Sequence, residues 1–225
     1  MSQPLQKVTG KQSSKSASIS HKVSKRVFDI IVSIVIIILI SPILLILSIW
    51  IKIEDKGPVL FKQKRAGING ETFLIYKFRS MRVKQNKISK EKSLCNNWVG
   101  GVPDDFIFKT THNFNPNVTK VGRFIRKYSL DELPQFFNVL RGEMSIVGPR
   151  PEIIDITVCY NKYQKQRLNV KPGITGWAQI NGRSEIPHGE KIEYDLFYVK
   201  NQNLILDLKI FFKTILQAIL GRGAI

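Results

Sequence analysis

Residues 30–51 read IIVSIVIIILISPILLILSIWI, a run without a single charge, and how this run is read decides the fold. As one straight helix it is about 33 Å long, enough to cross the hydrocarbon core of a bilayer. A single membrane-spanning anchor is the plain reading, and its flanks argue against it. Lys22, Lys25 and Arg26 precede the run; Lys52, Lys56, Lys62, Lys64 and Arg65 follow it. Both ends thus carry the charge that normally marks the cytoplasmic side. Ser41-Pro42, near the middle, adds a second argument. Proline removes a backbone donor and crowds the preceding turn, so a kink is expected. In lipid the freed carbonyl needs a partner, which the Ser41 hydroxyl can supply. Together these features predict a helix that enters the membrane, breaks at Ser41-Pro42 and returns to the same face.

The rest of the chain suits a surface rich in phosphate. Lys and Arg number 35 against 17 Asp and Glu, a formal charge of +18, which attracts nucleic acid, a lipid surface or a phosphorylated substrate. Aromatic residues are not interleaved with the basic ones as nucleic-acid stacking platforms require. Residues 1–26 are polar, basic and free of acidic residues, and read as a disordered tail or a membrane-surface arm. The apolar run after them is too long for a signal-peptide core, so cleavage is not expected. The three histidines are too scattered to suggest a zinc site. Cys95 and Cys159 belong to no CxxC pattern and read as buried free thiols in a reducing compartment.

At the other end, residues 204–220 read LILDLKIFFKTILQAIL. At helical spacing Leu208, Phe211, Phe212, Ile215, Leu216 and Ile219 share one face, with Lys209, Lys213 and Gln217 opposite. That suits a helix lying among headgroups, and packing on the domain's own core suits the pattern equally well.

Between these segments, VLFKQKRAG and ETFLIYKFRS read as strands of a hairpin around Gly67-Ile68-Asn69-Gly70, with Lys77, Arg79 and Arg82 at its far end. Residues 84–117 read as a polar loop region. Residues 119–143 and 185–200 look helical, and 168–183 is turn-rich.

One stretch concentrates the chemistry: SLDELPQFFNVLRGEMSIVGPRP, residues 129–151. Ser129-Leu130-Asp131-Glu132 fits a capping box with Ser129 as N-cap, although Pro134 fits that helix awkwardly and the helix can instead restart there. Either way two carboxylates sit near a helix N-terminus. Arg123, Arg126 and Lys127 lie upstream, Arg141 and Arg150 downstream, the last fixed between two prolines. Arginines suit bidentate grip of phosphate. A carboxylate pair ringed by arginines suits phosphoryl transfer, one acid attacking phosphorus while the other holds Mg²⁺.

These pieces resemble the bacterial sugar transferase family, the monotopic polyprenyl-phosphate glycosyl-1-phosphate transferases. The resemblance rests on KRVFDI, Ser41-Pro42, YKFRSMR, VGRFIRKYSLDELPQFFNVLRGEMSIVGPRP, KPGITGWAQINGR and EKIEYDLFYVKNQNLILDLKI, in that order from about Lys25 onward. It implies that Asp131 is the nucleophile and Glu132 its Mg²⁺-linked catalytic partner. It also implies that Arg126, Arg150 and Arg79 bind substrate, and that Ser41 and Pro42 break a re-entrant helix. The implied reaction is ping-pong: a UDP-sugar donor leaves its sugar phosphate on Asp131, and polyprenyl (undecaprenyl) phosphate takes it, starting a cell-surface glycan such as exopolysaccharide, capsule, O-antigen or glycoprotein. Asn117 and Glu143 stand where relatives often place arginine and aspartate.

The expected architecture is α+β and mostly helical, with a re-entrant N-terminal membrane helix, interfacial amphipathic helices and a small β-hairpin. Residues 1–24 form a basic flexible tail, 25–53 the membrane helix, and 54–225 a catalytic domain ending in the interfacial helix. The resemblance places the protein monotopically on the inner (cytoplasmic) membrane with that domain on the cytoplasmic face. Donor, acceptor lipid and bilayer are the expected partners, without nucleic acid, and a homodimer is compatible. Two other readings stay open from the residues: a membrane-anchored basic scaffold for acidic partners, and a phosphatase with the same aspartyl-phosphate chemistry.

Overall fold

The computed structural model describes residues 19–82, 98, 100–107, 116–182 and 186–220. Most of the expected basic tail and most of the 84–117 loop region lie outside these residues. The described chain is mostly helical with two small sheets, the expected class.

A long helix, α1 (Ile19–Glu54), opens the chain and begins within the stretch expected to be tail. A hairpin of β1 (Leu60–Ala66) and β2 (Thr72–Phe78) follows, antiparallel, with Leu60 opposite Phe78 and Ala66 opposite Thr72. Its turn uses left-handed backbone at Asn69 (φ 55°) and Gly70 (φ 82°), the conformation that Asn-Gly accepts at little cost. The chain continues through α2 (Lys120–Lys127), a 3-10 turn at Leu130–Glu132, α3 (Gln135–Arg141), β3 (Ser145–Val147) and α4 (Ile154–Thr157). After a 3-10 segment at Gln164–Asn169 come β4 (Gly173–Thr175), α5 (Trp177–Asn181), α6 (His188–Asn201) and α7 (Leu204–Ile219).

The pairing of β3 with β4 was not expected. The strands are parallel, Ser145 beside Gly173 and Val147 beside Thr175. Glycine makes their close approach possible: a Cβ on Gly173 would fall 2.1 Å from the Gly148 nitrogen, and one on Gly176 would fall 2.1 Å from the Gly148 carbonyl oxygen. The glycines that made 168–183 look like turns are there to let two backbones touch.

The main core gathers Phe73 and Ile75 of β2, Phe136 and Val139 of α3, Ile146 and Val147 of β3, Tyr198 of α6 and Ile210 of α7. Phe28, Val32 and Ile36 of α1 pack against it. A second cluster joins Leu47 and Ile51, near the far end of α1, to Phe78, Val121 and Ile125.

Both ends of α1 therefore dock on the same body. Near its start, Arg26 donates to the carbonyls of Val139 and Leu140 at 2.6 and 2.8 Å, at the C-terminal end of α3 where carbonyls lack helical partners. Asp29 accepts from the Ile146 amide at 2.9 Å, and Lys25 reaches the buried Asp207 of α7 at 2.8 Å. At its end, the Glu54 carboxylate accepts from the Lys120 and Val121 amides at 2.6 and 2.8 Å, the exposed donors of the α2 N-terminus.

Helical backbone continues through Ser41-Pro42, where an interruption was expected. Pro42 has no N–H to give the Ile38 carbonyl, and the Ser41 hydroxyl donates to that carbonyl at 2.9 Å. The orphaned acceptor is satisfied locally, as anticipated, so the helix passes the proline without unwinding. α1 is long and apolar enough to cross a membrane, and little of its apolar stretch is buried. On α7, Ile205, Phe212, Ile215 and Leu216 also face outward, while Asp207 and Ile210 are buried. Cys159 is disulfide-bonded, which corrects its reading as a free thiol; Cys95 lies outside the described residues.

Candidate active site

The acidic pair sits on an unusual piece of backbone. Ser129 adopts φ 54° and ψ 23°, a left-handed conformation rare for a residue with a side chain, and its hydroxyl caps nothing. The capping box is therefore absent, and Glu132 does not reach back. Pro134 explains why: it cannot donate to the Leu130 carbonyl, so Leu130–Glu132 makes only a 3-10 turn and α3 starts afresh at Gln135. Strained backbone of this kind tends to gather where side chains must be aimed.

Glu132 is aimed at two cations. Its Oε1 accepts from Lys77 Nζ at 2.8 Å and Arg150 Nη2 at 2.6 Å; its Oε2 accepts from Arg150 Nη1 at 3.2 Å. Burial opposes the charge, but Arg150 and Lys77 outweigh it and hold the Glu132 carboxyl well below the usual carboxylate range. Lys77 was missed as a site residue. The signal that could have found it is strand alternation: Lys77 shares the inward parity of Phe73 and Ile75 on β2.

Arg150 is held from behind. Its carbonyl accepts from Arg167 Nη2 at 3.0 Å. Arg167 is itself buried, donates to the Tyr160 hydroxyl at 2.7 Å and pairs with Asp195 at 2.6 Å. Next to it Glu152 pairs with Lys191 at 2.9 Å. Together with Pro149, Pro151 and the close contact of Gly148 with β4, this network fixes the loop that presents the guanidinium.

Asp131 is treated differently. It makes no side-chain hydrogen bond or ion pair among the described residues. Burial and the neighbouring Glu132 charge push its pKa up, while Lys77, Arg126 and Arg150 pull it back. Adjacent carboxylates thus receive opposite environments, one pinned and ionised, the other half-buried and untethered. That separation marks a division of labour.

Arg126 lies close enough to act on Asp131 and is steadied by a bond from its Nε to the Ser80 hydroxyl at 2.9 Å. Arg79 does not join the group. It is buried beneath the turn after α1, where it donates to the Asp55 carbonyl and pairs with that carboxylate at 3.4 Å. A Cβ on Gly57 would fall 1.8 Å from its Nη1, so Arg79 braces the turn rather than facing the pair.

Among the described residues, three or more His, Cys, Asp or Glu side chains never gather as a metal cage. Asp131 and one remaining lone pair on Glu132 Oε2 offer what a cation of the Mg²⁺ kind takes from a protein when phosphate oxygens and water complete its shell. A cation there would offset the burial and the Glu132 charge that raise the Asp131 pKa.

Residues 20–221 match the profile of the bacterial sugar transferase family. The chain belongs to that family. It is 46% identical over 210 residues to a UDP-glucose:undecaprenyl-phosphate glucose-1-phosphate transferase of Klebsiella pneumoniae, covering 90% of this chain and 41% of that protein. It is 43% identical over 206 residues to galactosyl transferase CpsE of Streptococcus agalactiae, covering 91% and 44%. It is 41% identical over 201 residues to an uncharacterized sugar transferase, EpsL, of Bacillus subtilis, covering 89% and 90%. The chain thus spans less than half the length of the first two relatives and nearly all of the third. Within the sugar transferase family, this chain carries the aspartate and glutamate side by side and the arginine between prolines on elements packed against one core.

Proposed function

We propose that the protein transfers a sugar-1-phosphate from a UDP-sugar to polyprenyl phosphate, starting a cell-surface glycan. The observation that carries this reading is the unequal state of Asp131 and Glu132 among the Lys77, Arg126 and Arg150 side chains. Family membership supports the reaction class, and relatives named for glucose and galactose transfer support a hexose donor.

In this account an Asp131 carboxylate oxygen attacks the β-phosphorus of the donor. The bond from that phosphorus to the bridging oxygen breaks, and UMP leaves with the electron pair. The sugar phosphate stays on Asp131 as an acyl phosphate. A phosphate oxygen of the lipid then attacks the same phosphorus, the Asp131 carboxylate leaves, and a polyprenyl-diphospho-sugar results. Glu132 stays ionised throughout and aligns Arg150 and Lys77. With Arg126, these cations neutralise the charge that two phosphates bring to two carboxylates. Asp131 and Glu132 would hold Mg²⁺, which supplies further charge neutralisation on the diphosphate oxygens when bound.

Membrane residence belongs to the same reading. α1 is apolar and mostly uncovered, yet its two ends are fastened to one body through Arg26 and Glu54. Re-entry from the cytoplasmic face satisfies both facts; a helix whose ends lay on opposite faces would tear one set of bonds. The outward apolar residues of α7 provide the interfacial contact. The direct test incubates membranes bearing the protein with radiolabelled UDP-glucose and UDP-galactose. Label in the lipid fraction supports transfer; label released as free sugar phosphate indicates a phosphatase instead.

A further inference from the structure

At its C-terminal end α1 leaves Ile46, Ile49, Trp50 and Ile53 on one exposed face. The opposite side of that stretch, Leu47 and Ile51, packs on Val121 and Ile125 of α2 and brings Trp50 beside Phe124 with ring centroids 5.5 Å apart. Phe124 lies in turn 5.1 Å from Tyr128, one helical turn further on. All three rings are roughly half exposed, at 43%, 41% and 52%. They form a ladder from the bare apolar surface of α1 to the end of α2.

Cations accompany the far rungs. Lys127 Nζ stands 5.4 Å from the centre of the Tyr128 ring, and Lys120, Arg123 and Arg126 are exposed on the same helix. The next residue, Ser129, turns the chain through its left-handed backbone into Leu130–Glu132. The ladder therefore stops where the segment bearing Asp131 begins.

We propose that Trp50, Phe124 and Tyr128 form the docking surface of the acceptor lipid. The unsaturated isoprenoid tail lies along the rings, and Lys127 with its neighbours on α2 receives the phosphate head beside Asp131. This rests on the transferase reading above. Two observations single out that occupant: the ladder is continuous with the apolar face of α1, and its charge at the catalytic end is opposite to the phosphate's. A belt of aromatic residues that merely grips headgroups needs neither ring-to-ring contact in a line nor an end at the reactive turn.

The test uses the full chain in detergent micelles, with undecaprenyl phosphate varied and UDP-glucose or UDP-galactose as donor, whichever labels the protein. Phe124→Ala and Tyr128→Ala should each raise the acceptor KM about 10-fold, which corresponds to roughly 1.4 kcal/mol of lost apolar contact. The amount of sugar phosphate bound from donor alone should not change. Phe124→Leu, which keeps apolar volume, should shift KM the same way by less. Ile205→Ala, an exposed apolar residue of α7, should leave acceptor KM alone. Unchanged acceptor KM in both alanine variants overturns the docking surface. Weaker binding to phospholipid vesicles with unchanged KM in micelles assigns the rings to general anchorage and overturns it equally. Wild-type protein that takes no label from donor alone removes the transferase reading, and the docking surface with it.

Discussion

The Arg150 guanidinium grips the Glu132 carboxylate with both terminal nitrogens, Nη2 at 2.6 Å and Nη1 at 3.2 Å, across 18 residues of chain. The fork leaves no ambiguity about where either side chain points, and it frees Asp131 from sharing those donors. Arg150→Lys keeps the charge and loses the fork. We expect kcat/KM for the sugar nucleotide to fall on the order of 10²-fold in Arg150→Lys and 10³-fold in Arg150→Ala. Steady-state kinetics with saturating lipid measures both; a lysine variant at wild-type rate would show that charge alone suffices.

Lys77 works on the same pair from β2. Burial and Glu132 raise the Asp131 pKa, and Lys77 is the first of the cations that lower it. In the proposed reaction the attacking form of Asp131 is ionised, so activity should decline as pH falls through that pKa. Removing the Lys77 charge raises the pKa further, and the acid limb of kcat/KM should move to higher pH in Lys77→Met but not in Lys77→Arg. Superimposable acid limbs for all three proteins would remove Lys77 from the electrostatics of Asp131.

His188 predicts an acid-sensitive fold. Its ring is buried between Phe106 and Tyr160 without a hydrogen-bond partner for either nitrogen among the described residues, and burial lowers its pKa to about 4. In the unfolded chain the value is about 6.5. As pH drops below about 6.5 the unfolded state takes a proton that the folded state refuses, so stability falls until pH reaches about 4. Thermal unfolding in detergent should show Tm declining across that window. His188→Phe should flatten the decline, and an equal slope in the variant would assign it to other groups.

Arg26 on the Val139 and Leu140 carbonyls and Glu54 on the Lys120 and Val121 amides fasten both ends of α1 to one body, which favours re-entry over a span. With Cys95 and Cys159 replaced by serine, single cysteines at Lys22 and Lys56 should both react with an impermeant reagent from the cytoplasmic side. Labelling from opposite sides would restore a spanning helix.

Much of this was legible in the sequence wherever a periodic pattern met clear punctuation. The hairpin could be read because strands alternate around Gly67-Ile68-Asn69-Gly70, and its register has no bulge. The bond from Ser41 was foreseeable because a proline frees one known carbonyl. The site was legible as a constellation, less so in detail. Arg79 was expected at the hairpin's far end with Lys77 and, by the resemblance, as a substrate binder, but β2 ends at Phe78 and the side chain lies beneath Gly57. Ser129 looked like an N-cap because S-x-x-E is a local signal, while the proline at 134 acts one turn later. The parallel pair β3–β4 is too short to alternate, and only the three-dimensional approach of Gly148 to Gly173 explains it. Arg167 was invisible for a related reason: its bond to the Arg150 carbonyl joins segments whose nearness is set by the core.

The proposed reaction turns on covalent uptake of the sugar phosphate by Asp131. Intact-protein and peptide mass spectrometry after acid quench, with donor supplied and lipid withheld, reads it directly. The peptide containing residue 131 should gain the mass of one hexose phosphate less water, a gain absent in Asp131→Asn and discharged when polyprenyl phosphate is added. Rapid lipid glycosylation by a protein that never carries that mass would contradict it.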